Sequence, residues 1–228
     1  MKHRTGFAAC LLGFALCILF GLLAAVHVVG TDPELYRELQ MQAGILPEAG
    51  VSEADLIRLD EALSQCLRGS EKALYLSCEV FGTVQPAFNA KELIHMEDCR
   101  QLFILLRAAI RTSAVAGSLL LTLGCILLGS DRRKLRRAAW LAPLLIAVPL
   151  GLFAAWAVTD FNSAFNFFHE ILFTNDLWLL NARTDLLIRI CPASMFMAMG
   201  ARIGLMGLAW AVFIPALATA CTAVKKER

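Results

Sequence analysis

Three side chains in two stretches have the types and spacing for proton-transfer chemistry. "NAKELIHMEDCRQLF", from Asn89, carries His95 and Asp98. "FNSAFNFFHEILFTNDLW", from Phe161, carries His169. Positions three apart share a helix face, so Asp98 is expected beside His95. A carboxylate there would hold one imidazole tautomer and raise its basicity, which suits a general base. His169 has Phe165 and Phe173 four residues to either side. That apolar setting disfavours the charged imidazole and keeps it neutral at physiological pH. The remaining histidines, His3 and His27, are flanking residues of an apolar segment. Two other readings stay open on these residues. His95, Asp98, His169 and Glu170 could serve as metal ligands of a membrane hydrolase, although no H-E-x-x-H or similar close pair is present. A non-catalytic membrane scaffold with an outer cap is the other.

The elements that would position these groups are mostly apolar. The chain has 228 residues, 58% of them hydrophobic, and a mean hydropathy of +0.65, far above an ordinary soluble domain. A bilayer core needs roughly 20 apolar residues per helix. Four segments qualify, at about 7–29, 102–128, 138–158 and 197–224. The first follows Lys2, His3 and Arg4, but its apolar run exceeds that of a signal peptide and "AAVHVVG" offers no good cleavage site. It is expected to be a retained anchor.

Basic residues then orient the chain. Lys2 and Arg4 precede the first segment, "SDRRKLRR" joins the second and third, and Lys225, Lys226 and Arg228 follow the fourth. From Gly30 to Gln101 thirteen acidic residues face six basic ones, and from Asp160 to Ala198 four face two. Both termini are therefore expected in the cytoplasm, with the stretches 30–101 and 160–198 outside. The expected fold class is an all-α integral membrane protein. Four transmembrane helices form a single membrane domain over 1–228, with a small α+β cap at 30–101 and an interfacial helical loop at 160–198.

Within the cap, "VSEADLIRLDEALSQCLRG" reads as a helix capped by Ser52 and closed by Gly69. "ALYLSCEVFG" reads as a short strand, with Gly82 and Pro86 as breaks. Asn89 and Glu92 form a capping box, and no breaker follows before Leu128. His95 thus belongs to the outer end of the second membrane helix. The second loop places Phe161, Phe165, Phe168, Leu172 and Phe173 at helical spacing, as an interfacial segment would. "RTDLLIRICP" could dip shallowly into the membrane, stopped by Pro192. Arg107 and Arg111, four apart in the outer half of the second segment, are costly in lipid. They would pair with Asp185, meet a phospholipid head group, or simply snorkel. The eight cysteines show no C-x-x-C, and one disulfide among Cys66, Cys78 and Cys99 is open. Nothing points to a nucleic-acid partner.

The two stretches also resemble the signature regions of the lipoprotein intramolecular transacylase family of bacterial membrane proteins. Phe88, Glu92, His95, Met96 and Asp98 match the first region, with Cys99 in place of an aliphatic residue. Phe168, His169, Phe173, Trp178, Asp185, Leu187, Ile188 and Pro192 match the second; "NAR" at 181–183 and Met195 depart from it. The resemblance implies a cell-membrane enzyme without cofactor or metal, whose site lies on the extracytoplasmic face. Its substrate would be a diacylglyceryl lipoprotein embedded among membrane lipids. The sn-2 acyl chain would move to the α-amino group of the N-terminal cysteine, leaving a lyso lipoprotein. His95, His169 and Asp98 would be catalytic. Phe165, Phe168, Phe173, Trp178, Asp185, Arg107 and Arg111 would hold substrate.

Overall fold

The computed structural model describes residues 2–223. Val224, Lys225, Lys226, Glu227 and Arg228, used above for the end of the fourth segment and its flanking charge, lie outside the described residues. In chain order the elements are α1 (Lys2–Gly30), α2 (Pro33–Ala43), α3 (Leu46–Ala49), α4 (Glu53–Arg68), β1 (Ser77–Val80) and β2 (Thr83–Pro86). Then follow α5 (Ala90–Leu128), α6 (Arg132–Thr159), α7 (Phe161–Leu172), α8 (Leu186–Ile190) and α9 (Ala193–Ala223). The helices α1, α5, α6 and α9 are long and apolar enough to cross a membrane. At 39 residues, α5 extends for about 58 Å, nearly twice the roughly 30 Å hydrocarbon core. The apolar segment read at 102–128 is its later part, and the first turns, with His95, lie outside that segment. The fold is an all-α membrane bundle with one two-stranded sheet.

Two compact units divide the chain. The first comprises Met1–Val26, Arg107–Asp160 and Ile203–Arg228. Its core gathers Cys10, Phe14 and Ile18 of α1, Leu128 of α5, and Ala138, Ala139 and Ala142 of α6. Around this core, Leu119, Ile126, Leu152, Val158 and Leu205 expose most of their surface. In water such a surface would aggregate; in lipid it is the solvated one. Lipid removes the hydrophobic drive between helices, so close packing must hold them together. Glycines on α1 and α5 allow it. A Cβ on Gly124 would lie 2.4 Å from Cys10 Sγ and 2.8 Å from the Cys10 backbone nitrogen, and one on Gly13 would lie 2.9 Å from Leu121. Gly124→Leu is accordingly expected to destabilise the protein by about 3 kcal/mol or more, since backbone must part to admit the side chain. Gly151→Leu, on α6 where a Cβ meets nothing within 4 Å, should leave it unchanged. The yield of monodisperse protein extracted from membranes, with its thermal midpoint, distinguishes the two variants.

The second unit comprises His27–Leu106 and Phe161–Arg202. Asp32 accepts bonds from the Glu34 and Leu35 amides to cap α2, and Ser52 accepts from Asp55 to cap α4. Ser77 to Pro86 is a tight hairpin, with Val80 opposite Thr83. Its two linking residues, Phe81 and Gly82, both have positive φ (48° and 82°), as a two-residue primed turn requires. The strand read from "ALYLSCEVFG" is thus β1, and β2 is an addition that Pro86 had obscured. Gln40 donates to Asp60 and to the Ile190 carbonyl at 2.9 Å each, tying α2, α4 and α8 together in a dry interior. Burial pushes the Asp60 carboxyl up to about 7, with Gln40 and Arg37 opposing. Cys66, Cys78 and Cys99 are all free thiols.

Candidate active site

Both signature stretches fall in the second unit, and hydrogen bonds explain how they meet. The capping box forms as read. Asn89 Oδ1 accepts from the Glu92 amide (3.1 Å) and Glu92 Oε2 accepts from the Asn89 amide (2.8 Å). Each partner then reaches further. Glu92 Oε1 accepts from the Leu187 amide at 2.6 Å, and Asn89 Nδ2 donates to Asp185 Oδ1 at 2.9 Å. Asp185 also accepts from the Asn181 amide and the Thr184 hydroxyl. One local motif therefore starts α5 and fastens the start of α8 to it. Burial pushes the Glu92 carboxyl up, against the pull of the Leu187 and Asn89 amides. At Asp185 burial also works upward, but the bonds from Asn181, Thr184 and Asn89 prevail and hold it low.

α5 and α7 bring the two buried histidines together. The ring centroids of His95 and His169 are 6.1 Å apart. Trp178 stacks on His169 at 4.8 Å, Phe165 lies 4.1 Å from it, and Phe168 meets it edge-on at 5.4 Å. Phe173 borders both imidazoles, at 5.1 Å from His95 and 5.5 Å from His169. Burial lowers the His95 pKa to about 4; His169 and Lys91 add to the effect and Asp98 opposes it. Burial lowers His169 as well, opposed by its bond to Phe165. Both rings are therefore neutral at pH 7.

The tautomer of His169 can be read from its partner. His169 Nδ1 lies 2.7 Å from the Phe165 carbonyl oxygen. A carbonyl only accepts, so Nδ1 carries the proton and Nε2 the lone pair. His95 Nε2 faces the Cys99 thiol at 3.7 Å. Burial pushes that thiol up to about 12, so it stays protonated, able to donate to or accept from the ring. His95 Nδ1 is buried and has no partner among the described residues.

Asp98 has a different partner from the one expected. Its Oδ2 accepts from Asn175 Nδ2 at 2.9 Å, and its charge reaches the His95 imidazole without a hydrogen bond between them. Asn175 was not singled out in the sequence. Its signal was local: "TND" is an Asx turn, in which Asn175 Oδ1 accepts from the Leu177 amide. Phe196 on α9 is a second addition, 5.5 Å from Phe165. Phe165, Phe168, Phe173 and Trp178 all touch an imidazole, whereas the partners of Asp185 are Asn89, Asn181 and Thr184. Arg107 and Arg111 belong to the first unit. Among the described residues, no three His, Cys, Asp or Glu side chains group to hold a metal ion.

Fold and site define a multi-pass membrane protein with a dry histidine pair enclosed by aromatic rings. The family model described as lipoprotein intramolecular transacylase Lit matches residues 11–196. The chain belongs to this family of membrane-integral acyltransferases. In structure it is similar to the membrane-integral lipoprotein intramolecular transacylase Lit from Bacillus cereus, at 18% identity and a TM-score of 0.68, covering 99% of this chain and 97% of that one. Forms of that protein with a histidine changed to arginine or to alanine match at a TM-score of 0.69. Their identities are 19% and 18%, with 99% of this chain and 93% and 96% of theirs covered. No curated protein sequence matches significantly.

Proposed function

We propose that the protein moves the sn-2 acyl chain of a diacylglyceryl lipoprotein onto the α-amino group of its N-terminal cysteine. The observation that carries this reading is the pair of neutral imidazoles 6.1 Å apart in an aromatic enclosure. His169 offers a lone pair at Nε2, and His95, in the tautomer that accepts from Cys99, offers the unpartnered Nδ1 as a donor. The neutral amine attacks the ester carbonyl, and His169 Nε2 takes the proton shed by nitrogen. His95 Nδ1–H supports the oxyanion. Collapse breaks the bond to the glyceryl oxygen, and His169 returns the proton to that oxygen. An amide forms, an ester is lost, and no water or second substrate is consumed.

Nucleophile and ester belong to one molecule, so the main demand is orientation, which can supply roughly 7–11 kcal/mol. The aromatic enclosure suits that demand. Phe165, Phe168, Phe173 and Trp178 offer apolar walls to a lipid, and they exclude the water that would hydrolyse the ester. Arg107 and Arg111 would meet anionic head groups. The alternating loop charges support cytoplasmic termini and a site facing outward.

The pH profile follows from the buried imidazoles. With His95 near 4 and His169 below its ordinary value, neither base titrates between pH 6.5 and 8 to limit the rate. The substrate amine does, with a pKa of about 7.7–8.0. kcat/KM should therefore rise about tenfold per pH unit below that value and level off above it. A break near 6.5, set by an ordinary imidazole, would contradict this assignment. The direct test is incubation of purified protein with a synthetic diacylglyceryl lipopeptide. Mass spectrometry should find a lyso, N-acyl product of unchanged total mass. A product lighter by one acyl chain, with no N-acylation, would make the protein a hydrolase instead.

A further inference from the structure

Phe173, which borders both imidazoles, also lines a cavity of about 190 Å³ between α5 and the end of α7 with the loop that follows it. Several of its hydrogen-bonding groups already have partners. Asn175 Nδ2 is occupied by Asp98 and Asn175 Oδ1 by the Leu177 amide. Gln101 Nε2 is occupied by Glu97. Glu97 in turn is neutralised by Arg100 at 2.6 Å. Acceptors remain on this rim: Asp98 Oδ1, which makes no hydrogen bond among the described residues, and Gln101 Oε1, while the Thr174 hydroxyl on the same lining can donate or accept. The opposite wall is apolar, formed by Leu102, Leu172 and Phe173. A half-polar, half-apolar pocket with spare acceptors and one half-buried carboxylate fits a small cation bearing several N–H donors on an apolar stem.

We propose that this cavity is the docking site for the α-ammonium group of the lipoprotein's N-terminal cysteine, with Asp98 as its counter-ion. The identity of the ligand rests on the reaction proposed above. At neutral pH most of the substrate carries a charged amine, which cannot enter the dry histidine pair without first leaving water. Asp98 receives it one helical turn from His95. The Phe173 face adds a cation–π contact, and the thioether and glyceryl carbons lie against Leu102 and Leu172. Asn175 is a positioning residue. Its amide holds Asp98 Oδ2, so that Oδ1 faces the incoming ammonium. This assigns Asp98 to recognition of substrate and not to support of the His95 ring, with which it shares no hydrogen bond. A metal ion is a poorer occupant, because no three ligating side chains converge here among the described residues.

The test uses binding, so that it does not depend on turnover. Two probes are needed: a lipopeptide with an sn-2 ether in place of the ester and a free α-amine, and the same molecule N-acetylated. Neither can transfer its acyl chain. Full-length protein in nanodiscs at pH 7 should bind the free amine about tenfold to a hundredfold more tightly. Asp98→Asn should reduce that preference to less than about threefold while retaining its affinity for the acetylated probe. If Asp98→Asn weakens both probes alike, Asp98→Glu decides: it must keep a preference for the amine, and its loss overturns the proposal. An equal preference in wild type and Asp98→Asn overturns it too, as does the absence of any preference in wild type. A protein that prefers the amine but converts no ester substrate would retire the reaction and leave the docking site standing.

Discussion

His169→Ala and His95→Ala are each expected to lower the rate of lipopeptide conversion by about 10²–10⁴-fold, the span of a positioned acid–base group. The protein should still accumulate in the membrane, because neither ring ties two elements by a hydrogen bond. Among the described residues, His169 is hydrogen-bonded only to the carbonyl one turn earlier in its own helix, and His95 only to Cys99 in its own. The two variants should differ in their residual behaviour. Without His169 no group accepts the amine proton, so the remaining rate should follow hydroxide above pH 8. Without His95 the oxyanion loses its donor. His95→Gln, which can still offer an N–H, should then recover part of the activity where His169→Gln recovers none. Rates of N-acylation across pH 6 to 9 for the four variants provide the check. Full activity in either alanine variant would remove that histidine from the reaction.

Glu92→Ala should have the next largest effect, although the side chain touches neither imidazole. Its carboxylate is 1% exposed and serves two amides in two elements, Asn89 at the start of α5 and Leu187 in α8. Alanine would strand the buried Leu187 N–H at a cost of about 1–3 kcal/mol, remove the partner of the part-buried Asn89 N–H, and open a cavity where the side chain was. A loss of about 3–5 kcal/mol follows. Glu92→Gln is the informative control. It keeps the shape and can satisfy one amide with its carbonyl oxygen, but its NH₂ then faces the other donor. About half the loss should remain. Thermal unfolding in detergent, with conversion measured well below the transition, separates the outcomes. If Glu92 acts only through architecture, residual activity at low temperature returns in Glu92→Gln with an unchanged pH profile. A shifted profile would instead place Glu92 in the proton path.

What was legible in the sequence was local or periodic. The capping box of Asn89 and Glu92, the Ser52 cap and the uninterrupted run from Ala90 to Leu128 depend on neighbours within a few residues, and all three form. Four long apolar helices follow from the length a bilayer demands. The Phe spacing around His169 marked the rings that now surround it, since residues four apart share a face. Contacts between distant stretches were not legible in the same way. Glu92 to Leu187 spans 95 positions and Asn175 to Asp98 spans 77. Spacing alone paired Asp98 with His95, its neighbour on the helix. Tertiary packing gave the carboxylate to a loop amide instead and left His95 to a thiol. In the sequence Cys99 is only a replacement for an aliphatic residue; packing makes its thiol the partner of His95 Nε2. The second strand was missed because a four-residue edge containing Pro86 has little pattern of its own.

The most direct test of the account asks whether the acyl chain ever leaves its molecule. Two diacylglyceryl lipopeptides are mixed in equal amounts with the purified protein, one with an isotopically heavy sn-2 chain and a light peptide, the other with a light chain and a heavy peptide. Transfer within one molecule, as the enclosed histidine pair requires, predicts N-acyl lyso products of the two parental masses alone at every extent of reaction. Products that combine a heavy chain with a heavy peptide, in the proportion expected of random exchange, would contradict it.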